Sequence, residues 1–161
     1  MIWSLTLALL IVLATPSLAA TPLDGLWLTQ DRDGVMAVSP CEERLCARIV
    51  GMFLDRPADP MPLDYRGLSQ CDLPLITDAR QIEPNLWKGH ILDPRNGTMY
   101  GVELHLDSND NLAVRGFLGI PLLGETQTWT RFTGSVPANC RIVPNPNLAD
   151  RPQSGTMTKR H

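Results

Sequence analysis

Apolar and polar residues alternate along this chain in short runs. Tyr100, Val102, Leu104 and Leu106 fall on one phase, and Gly101, Glu103 and His105 on the other. Alternation of this kind marks a strand with one buried face. Leu112, Val114 and Leu118 repeat the pattern opposite Arg115. Residues 25–30, 35–39, 45–53, 73–82, 86–92 and 126–132 read as further strands. The fourteen prolines break the chain into pieces of strand length, and no stretch of a dozen residues keeps a helical period without meeting Pro or Gly.

The segments between these runs carry turn chemistry. Asp31-Arg32-Asp33-Gly34 and Asp107-Ser108-Asn109-Asp110-Asn111 are polar turns. Asn96-Gly97 between apolar runs is a strong hairpin signal, because both residues tolerate positive φ. The stretch 54–70 is irregular, and a loop of that length in a compact domain often serves as a lid or binding loop. The expected fold is all-β with few or no helices. About eight antiparallel strands form an up-and-down barrel, with a sandwich as the alternative.

Residues 1–19 read as a signal peptide. The apolar run is too short to span a bilayer, Pro16 ends it, and Ser17 and Ala19 place small residues before a cut after Ala19. The amino-terminal region lacks Lys and Arg, so a retained anchor is the competing reading. Residues 20–133 then form one barrel domain, and 134–161 a Pro- and Asn-rich tail. The expected location is periplasmic or secreted, with no membrane span after signal removal.

A net charge of -3 argues against nucleic acid as a partner. The four cysteines, Cys41, Cys46, Cys71 and Cys140, suit an oxidising compartment and allow three pairings. Cys41–Cys46 with Cys71–Cys140 is favoured, because the first two cysteines flank a four-residue loop. Zinc is disfavoured: there is no CxxC pair and no His at ligand spacing. No cofactor is expected.

Candidate chemistry is sparse. The 107–111 segment superficially resembles a calcium loop, but Leu112 and Leu118 stand where that loop needs Gly and Glu. Asn96-Gly97-Thr98 is formally a glycosylation acceptor. His90 and His105 sit on polar strand phases, where surface exposure is the default. Glu103 and His105 share a face and would suit a base with its orienting carboxylate. No serine or cysteine has a nucleophile motif. Trp87, Tyr100, Val102, Leu104 and Val114 are the candidate lining of a ligand pocket.

Three segments carry a family resemblance. They are WKGHILDPRNGTMYGVELHL, NLAVRGFLG and PLLGETQTWTR, with GLWLT and CEERLCARIV before them. In this order they resemble the bacterial domain-of-unknown-function family 2147, over roughly residues 24–132. The resemblance implies an exported protein and supplies no catalytic residues. Cys71 and Cys140 stand outside its hallmarks. A looser resemblance joins Gly25-Leu26-Trp27 and Arg131 to the calycins, the group of lipocalins and avidins. It implies that Trp27 and Arg131 pack together and close one end of a barrel.

The expected function is binding of a small, partly apolar molecule or a cell-envelope component, rather than catalysis. A structural or interaction module of the envelope is one alternative, and a hydrolase using Glu103 and His105 another. The oligomeric state is left open.

Overall fold

The computed structural model describes residues 20–144. Residues 1–19, the expected signal peptide, and residues 145–161 of the expected tail lie outside the described residues. Nine strands follow in chain order: β1 (Gly25–Leu28), β2 (Gly34–Cys41), β3 (Arg44–Phe53), β4 (Pro74–Glu83), β5 (Leu86–Leu92), β6 (Met99–Leu106), β7 (Leu112–Phe117), β8 (Glu125–Arg131) and β9 (Arg141–Ile142). Strands β1 to β8 pair antiparallel in sequence order, and β8 returns to β1, closing a barrel. Among the described residues the one helical element is a 3-10 turn, Pro121–Leu123.

Closure rests on a short contact. Only Trp27↔Arg131 and Leu28↔Thr130 pair between β1 and β8. Side chains extend it. The Arg131 guanidinium lies 3.8 Å from the centre of the Trp27 ring. It donates to the Asp24 carbonyl at 2.5 Å and to the Pro22 carbonyl. Trp27 is fully buried and donates its indole N–H to the Leu23 carbonyl at 2.8 Å. Gly25 has φ 130, and a Cβ there would stand 2.7 Å from the Arg131 guanidinium. The Gly-x-Trp spacing therefore leaves a path for the arginine across the indole.

The inward faces of all eight barrel strands supply one core, with Trp27, Leu45, Leu104 and Leu112 among its most buried members. A second apolar cluster lies outside the barrel. Leu28, Val35 and Val50 are buried there under Phe132, Val136 and Ile142. This explains why Leu28, Val35 and Val50 are apolar on the outer face, since the chain after β8 folds back over them, whereas Arg44 and Arg48 of β3 lie beyond that cover and stay exposed.

That return corrects one expectation. The segment from residue 134 contributes β9, which pairs parallel with Met52 and Phe53 of β3. The pairing is available because β4 leaves this edge of β3 after Arg48↔Pro74. Cys71–Cys140 ties the junction, and Cys41–Cys46 ties the β2–β3 hairpin, so the favoured pairing is the observed one. The hairpin loop is tighter than expected. Cys41 pairs with Arg44, and Leu45 is a buried strand residue.

Aspartates organise three of the loops. Asp93 accepts from the backbone and guanidinium of Arg95 and from Asn96. Only Gly97 of the Asn-Gly pair takes a positive φ, because this capped loop spans residues 93–98 rather than two residues. Asp107 caps the β6–β7 turn by accepting from the backbone N–H groups of Asn109 and Asn111. Asp64 caps its own loop through the side chain and backbone of Arg66 and the backbone of Leu68.

All three carboxyls titrate below the usual range. The Arg66 guanidinium lowers Asp64, the Arg95 guanidinium lowers Asp93, and the Asn111 and Asn109 amides lower Asp107. Each binds its proton less tightly folded than unfolded. Its stabilisation is present above the unfolded carboxylate value of about 4 and is lost as pH falls through the folded value.

Arg131→Met loses two charge-assisted bonds and the indole contact, and is expected to lower unfolding free energy by about 2–4 kcal/mol in urea titrations. Gly25→Ala is expected to act in the same direction. With disulfides intact, these aspartates are expected to leave the thermal midpoint unaffected between about pH 5 and 7 and to lower it below about pH 4. Asp93→Asn is expected to flatten that acid slope.

Candidate functional site

The two ends of the barrel differ. At one end lie the β2–β3, β4–β5 and β6–β7 turns and the Trp27–Arg131 contact. Large inward side chains fill it: Trp87, Leu104 and Leu112 are all buried. At the other end lie the loops β1–β2, β3–β4, β5–β6 and β7–β8. There the barrel holds a cavity of about 950 Å³ that opens to solvent.

Inward positions on strands β2 to β8 build the cavity. Its apolar wall includes Met36, Ile49, Met52, Leu75, Ile91, Val114 and Trp129. Gly116 follows Val114 on the inward phase, and a Cβ added there would meet nothing within 4 Å. Gln127 faces inward opposite Val114 yet is exposed, because the space beside it is open. Its side-chain oxygen accepts the Trp129 indole N–H at 2.8 Å, which fixes that ring at the cavity wall. Polar groups ring the mouth: Thr29, Asp31, Asp33, Asp93, Arg95 and Glu125. Arg95 and Asp93 are paired at 2.9 Å, and Asp33 accepts the Thr29 hydroxyl at 2.6 Å.

The sequence-derived lining divides in two. Tyr100 and Val114 reach the cavity. Trp87, Val102 and Leu104 point inward but are packed among the core side chains, and they do not line it. Alternation identifies the inward face but not depth along the barrel axis. Met36, Ile49, Leu75, Gln127 and Trp129 were missed for that reason. Their signal was position for four of them: Met36, Ile49, Leu75 and Gln127 lie nearer the open end of their strands, whereas Trp129 lies nearer the closed end of β8 and is held at the cavity wall by Gln127.

The remaining candidates stand on the outer wall. Glu103 pairs with Lys88 at 3.1 Å rather than with His105. His90 belongs to a structural clip. Asp78 accepts its backbone N–H at 2.8 Å and approaches its ring Nδ1 at 2.6 Å. Burial raises the Asp78 carboxyl, but the His90 bonds outweigh it and hold the group below the usual range. Gly89 permits this approach, since a Cβ there would stand 2.7 Å from both Asp78 and the Ala79 backbone. The Glu103 and His105 side chains therefore form no cleft. All four cysteines are consumed in disulfides, which removes them as zinc ligands. Among the described residues no group of three His, Cys, Asp or Glu could hold a metal. Among them, too, no helix is long and apolar enough to cross a membrane.

Comparison with known proteins agrees with this architecture. Protein HP1028 of Helicobacter pylori, a solved structure that belongs to the lipocalin family, superposes with a TM-score of 0.59 at 18% sequence identity. The match covers 69% of this chain and 83% of that one, and it shows a shared fold. No curated protein matches the chain. The model of a family of uncharacterized proteins conserved in bacteria, DUF2147, matches residues 25–131, from the first residue of β1 to the arginine that closes the barrel, and the chain belongs to that family.

Proposed function

We propose that this protein binds one small, partly apolar molecule inside the barrel and acts as an exported binding protein rather than an enzyme. The observation that carries the reading is the half-open cavity of about 950 Å³, apolar within and polar at its mouth. Ligand sites commonly occupy roughly 300–1,000 Å³, with apolar walls and a few polar groups that orient the guest. Tyr100, Val114 and Trp129 would contact the apolar part, while Gln127 and Arg95 stand where a polar group would lie. Trp87, Val102 and Leu104 would act indirectly, as the packed floor. The lipocalin-family likeness favours the same use of the fold. Two disulfides suit an oxidising compartment such as the periplasm or the exterior. The hydrolase reading lacks support, since Glu103 is engaged by Lys88 on the outer wall.

The test is titration with a neutral amphipathic dye such as N-phenyl-1-naphthylamine, read by its own emission and by Trp129 quenching. Saturable binding of one dye per chain is expected. Gly116→Leu places a side chain in open space. It is expected to weaken dye binding roughly tenfold or more, about 1.4 kcal/mol, without lowering the thermal midpoint. Absence of saturable binding, or binding indifferent to Gly116→Leu, would remove the cavity from the account.

A further inference from the structure

The cavity mouth carries an imbalance of charge. Asp31, Asp33, Asp93 and Glu125 line it, against a single cation, Arg95. That cation is already committed. Arg95 donates Nε and Nη2 to the Asp93 carboxylate at 3.0 and 2.9 Å, and the Asp33 charge acts on the same guanidinium. Asp33 also accepts the Thr29 hydroxyl. Asp31 and Glu125 are left without an ion pair among the described residues. Arg32 shares the turn with Asp31, but it does not line the cavity and pairs with neither carboxylate.

The fold aims these two carboxylates at the cavity. Glu125 is the register partner of Gly116, and Gln127 and Trp129 follow it on the same phase of β8. Cross-strand partners share a face, so the Glu125 side chain starts from the inward face, opposite a residue that has no side chain. An ionised group on the inward face of a filled barrel would be costly. Here it stands at an opening and is exposed. Asp31 lies on the same side of the mouth. Gln30 continues the β1–β8 seam by accepting the Thr128 N–H, and Asp31 follows it beside the start of β8.

A second observation is independent of charge. Gln70 lines the cavity and is only 8% exposed. Its Nε2 donates to the Leu63 carbonyl at 3.0 Å. A carbonyl can only accept, so this bond fixes which end of the amide is free. The free end is Oε1. Among the described residues no sealed side-chain oxygen or nitrogen lacks a partner, so Oε1 is reachable from the space that Gln70 lines. Asp31, Glu125 and Gln70 Oε1 therefore all offer acceptors. The Gln127 Nε2 and the Tyr100 hydroxyl can donate, but both are neutral and leave the charge balance as it is.

We infer that the guest is a cationic amphiphile, with an apolar body inside the barrel and an ammonium-type head at the mouth. Glu125 and Asp31 meet the charge of the head, and Gln70 Oε1 accepts from an N–H of the guest. The inference rests on the binding reading above and narrows it to one class of ligand. Anionic amphiphiles such as fatty acids meet the same carboxylates as repulsion.

Displacement of bound N-phenyl-1-naphthylamine by decylammonium, decanol and decanoate tests this, below the concentrations at which they form micelles. At about pH 7 the three share one apolar chain and differ in the charge of the head. Decylammonium is expected to displace the dye at a concentration at least about tenfold lower than decanol, the gain of one charge-assisted hydrogen bond. Decanoate is expected to be the weakest. The Asp31→Asn/Glu125→Gln variant keeps the shape of the mouth and removes both charges. It is expected to lose most of the preference for decylammonium over decanol. Asp33 is left in place because it holds the Thr29 hydroxyl. The Glu83→Gln/Asp110→Asn variant removes the same charge from the closed end, and is expected to keep the preference. Equal displacement by all three compounds, or a preference for decanoate, would overturn the inference and leave the binding reading standing. So would a mouth variant that keeps the full preference, or a closed-end variant that loses it equally. If the dye itself shows no saturable binding, the binding reading falls and this inference with it.

Discussion

The packing of Arg131 over Trp27 is the contact on which the rest of this structure depends. Eight strands become a barrel only when β8 meets β1, and a sheet left open presents two edges of unpaired backbone. Here the meeting strands share little length, because β1 ends at Leu28. Side chains make up the deficit at both ends of the seam. Arg131 ties the start of β1 to the carbonyls of Pro22 and Asp24. Beyond Leu28, the Gln30 side chain accepts the Thr128 N–H at 2.9 Å, in place of a backbone carbonyl. One guanidinium thereby supplies both a cation–π contact and a hydrogen-bonded clasp.

The same contact sets the polarity of the barrel. Trp27 and its neighbours fill the end that Arg131 covers, so the core is dense there. At the opposite end the inward positions include Gly116 and Gln127, which do not fill the interior, and a cavity results. The outer wall needs separate protection where β1, β2 and β3 are apolar on both faces, at Leu28, Val35 and Val50. The chain after β8 provides it. Phe132, Val136 and Ile142 cover Leu28, Val35 and Val50, and Phe132 meets Phe53 edge-on with ring centres 6.3 Å apart. The Cys71–Cys140 bridge holds this return segment against β3. Arg141 secures the long β3–β4 loop by donating to the carbonyls of Pro57 and Asp59. The loop near the mouth is thus fastened to the wall, and the mouth keeps a defined shape.

Much of this was legible from the residues, for physical reasons. The two-residue period of β6 and β7 follows from burial on one side. Cys41 and Cys46 announced a hairpin because few chain paths join cysteines so close in sequence. Gly25, Trp27 and Arg131 pointed to closure, and the structure adds the reason for the glycine. What escaped was non-local. Strand β9 is two residues long and exists only because β4 diverges from β3. The division of Trp87 and Leu104 from Trp129 and Val114 depends on which inward side chains their neighbours leave uncovered, which alternation does not encode. Asp93 turned an Asn-Gly signal into a longer capped loop, a competition between side-chain and backbone partners that spacing alone does not decide.

The closed seam can be measured directly by amide hydrogen exchange. The Phe132 N–H donates to the Leu26 carbonyl at 2.9 Å across the β1–β8 junction. In a closed barrel this amide exchanges only through global opening, as slowly as those in the β6–β7 ladder. Fast exchange at Phe132, with β6 and β7 still protected, would mean that β8 is a free edge and that the enclosed cavity does not exist in solution.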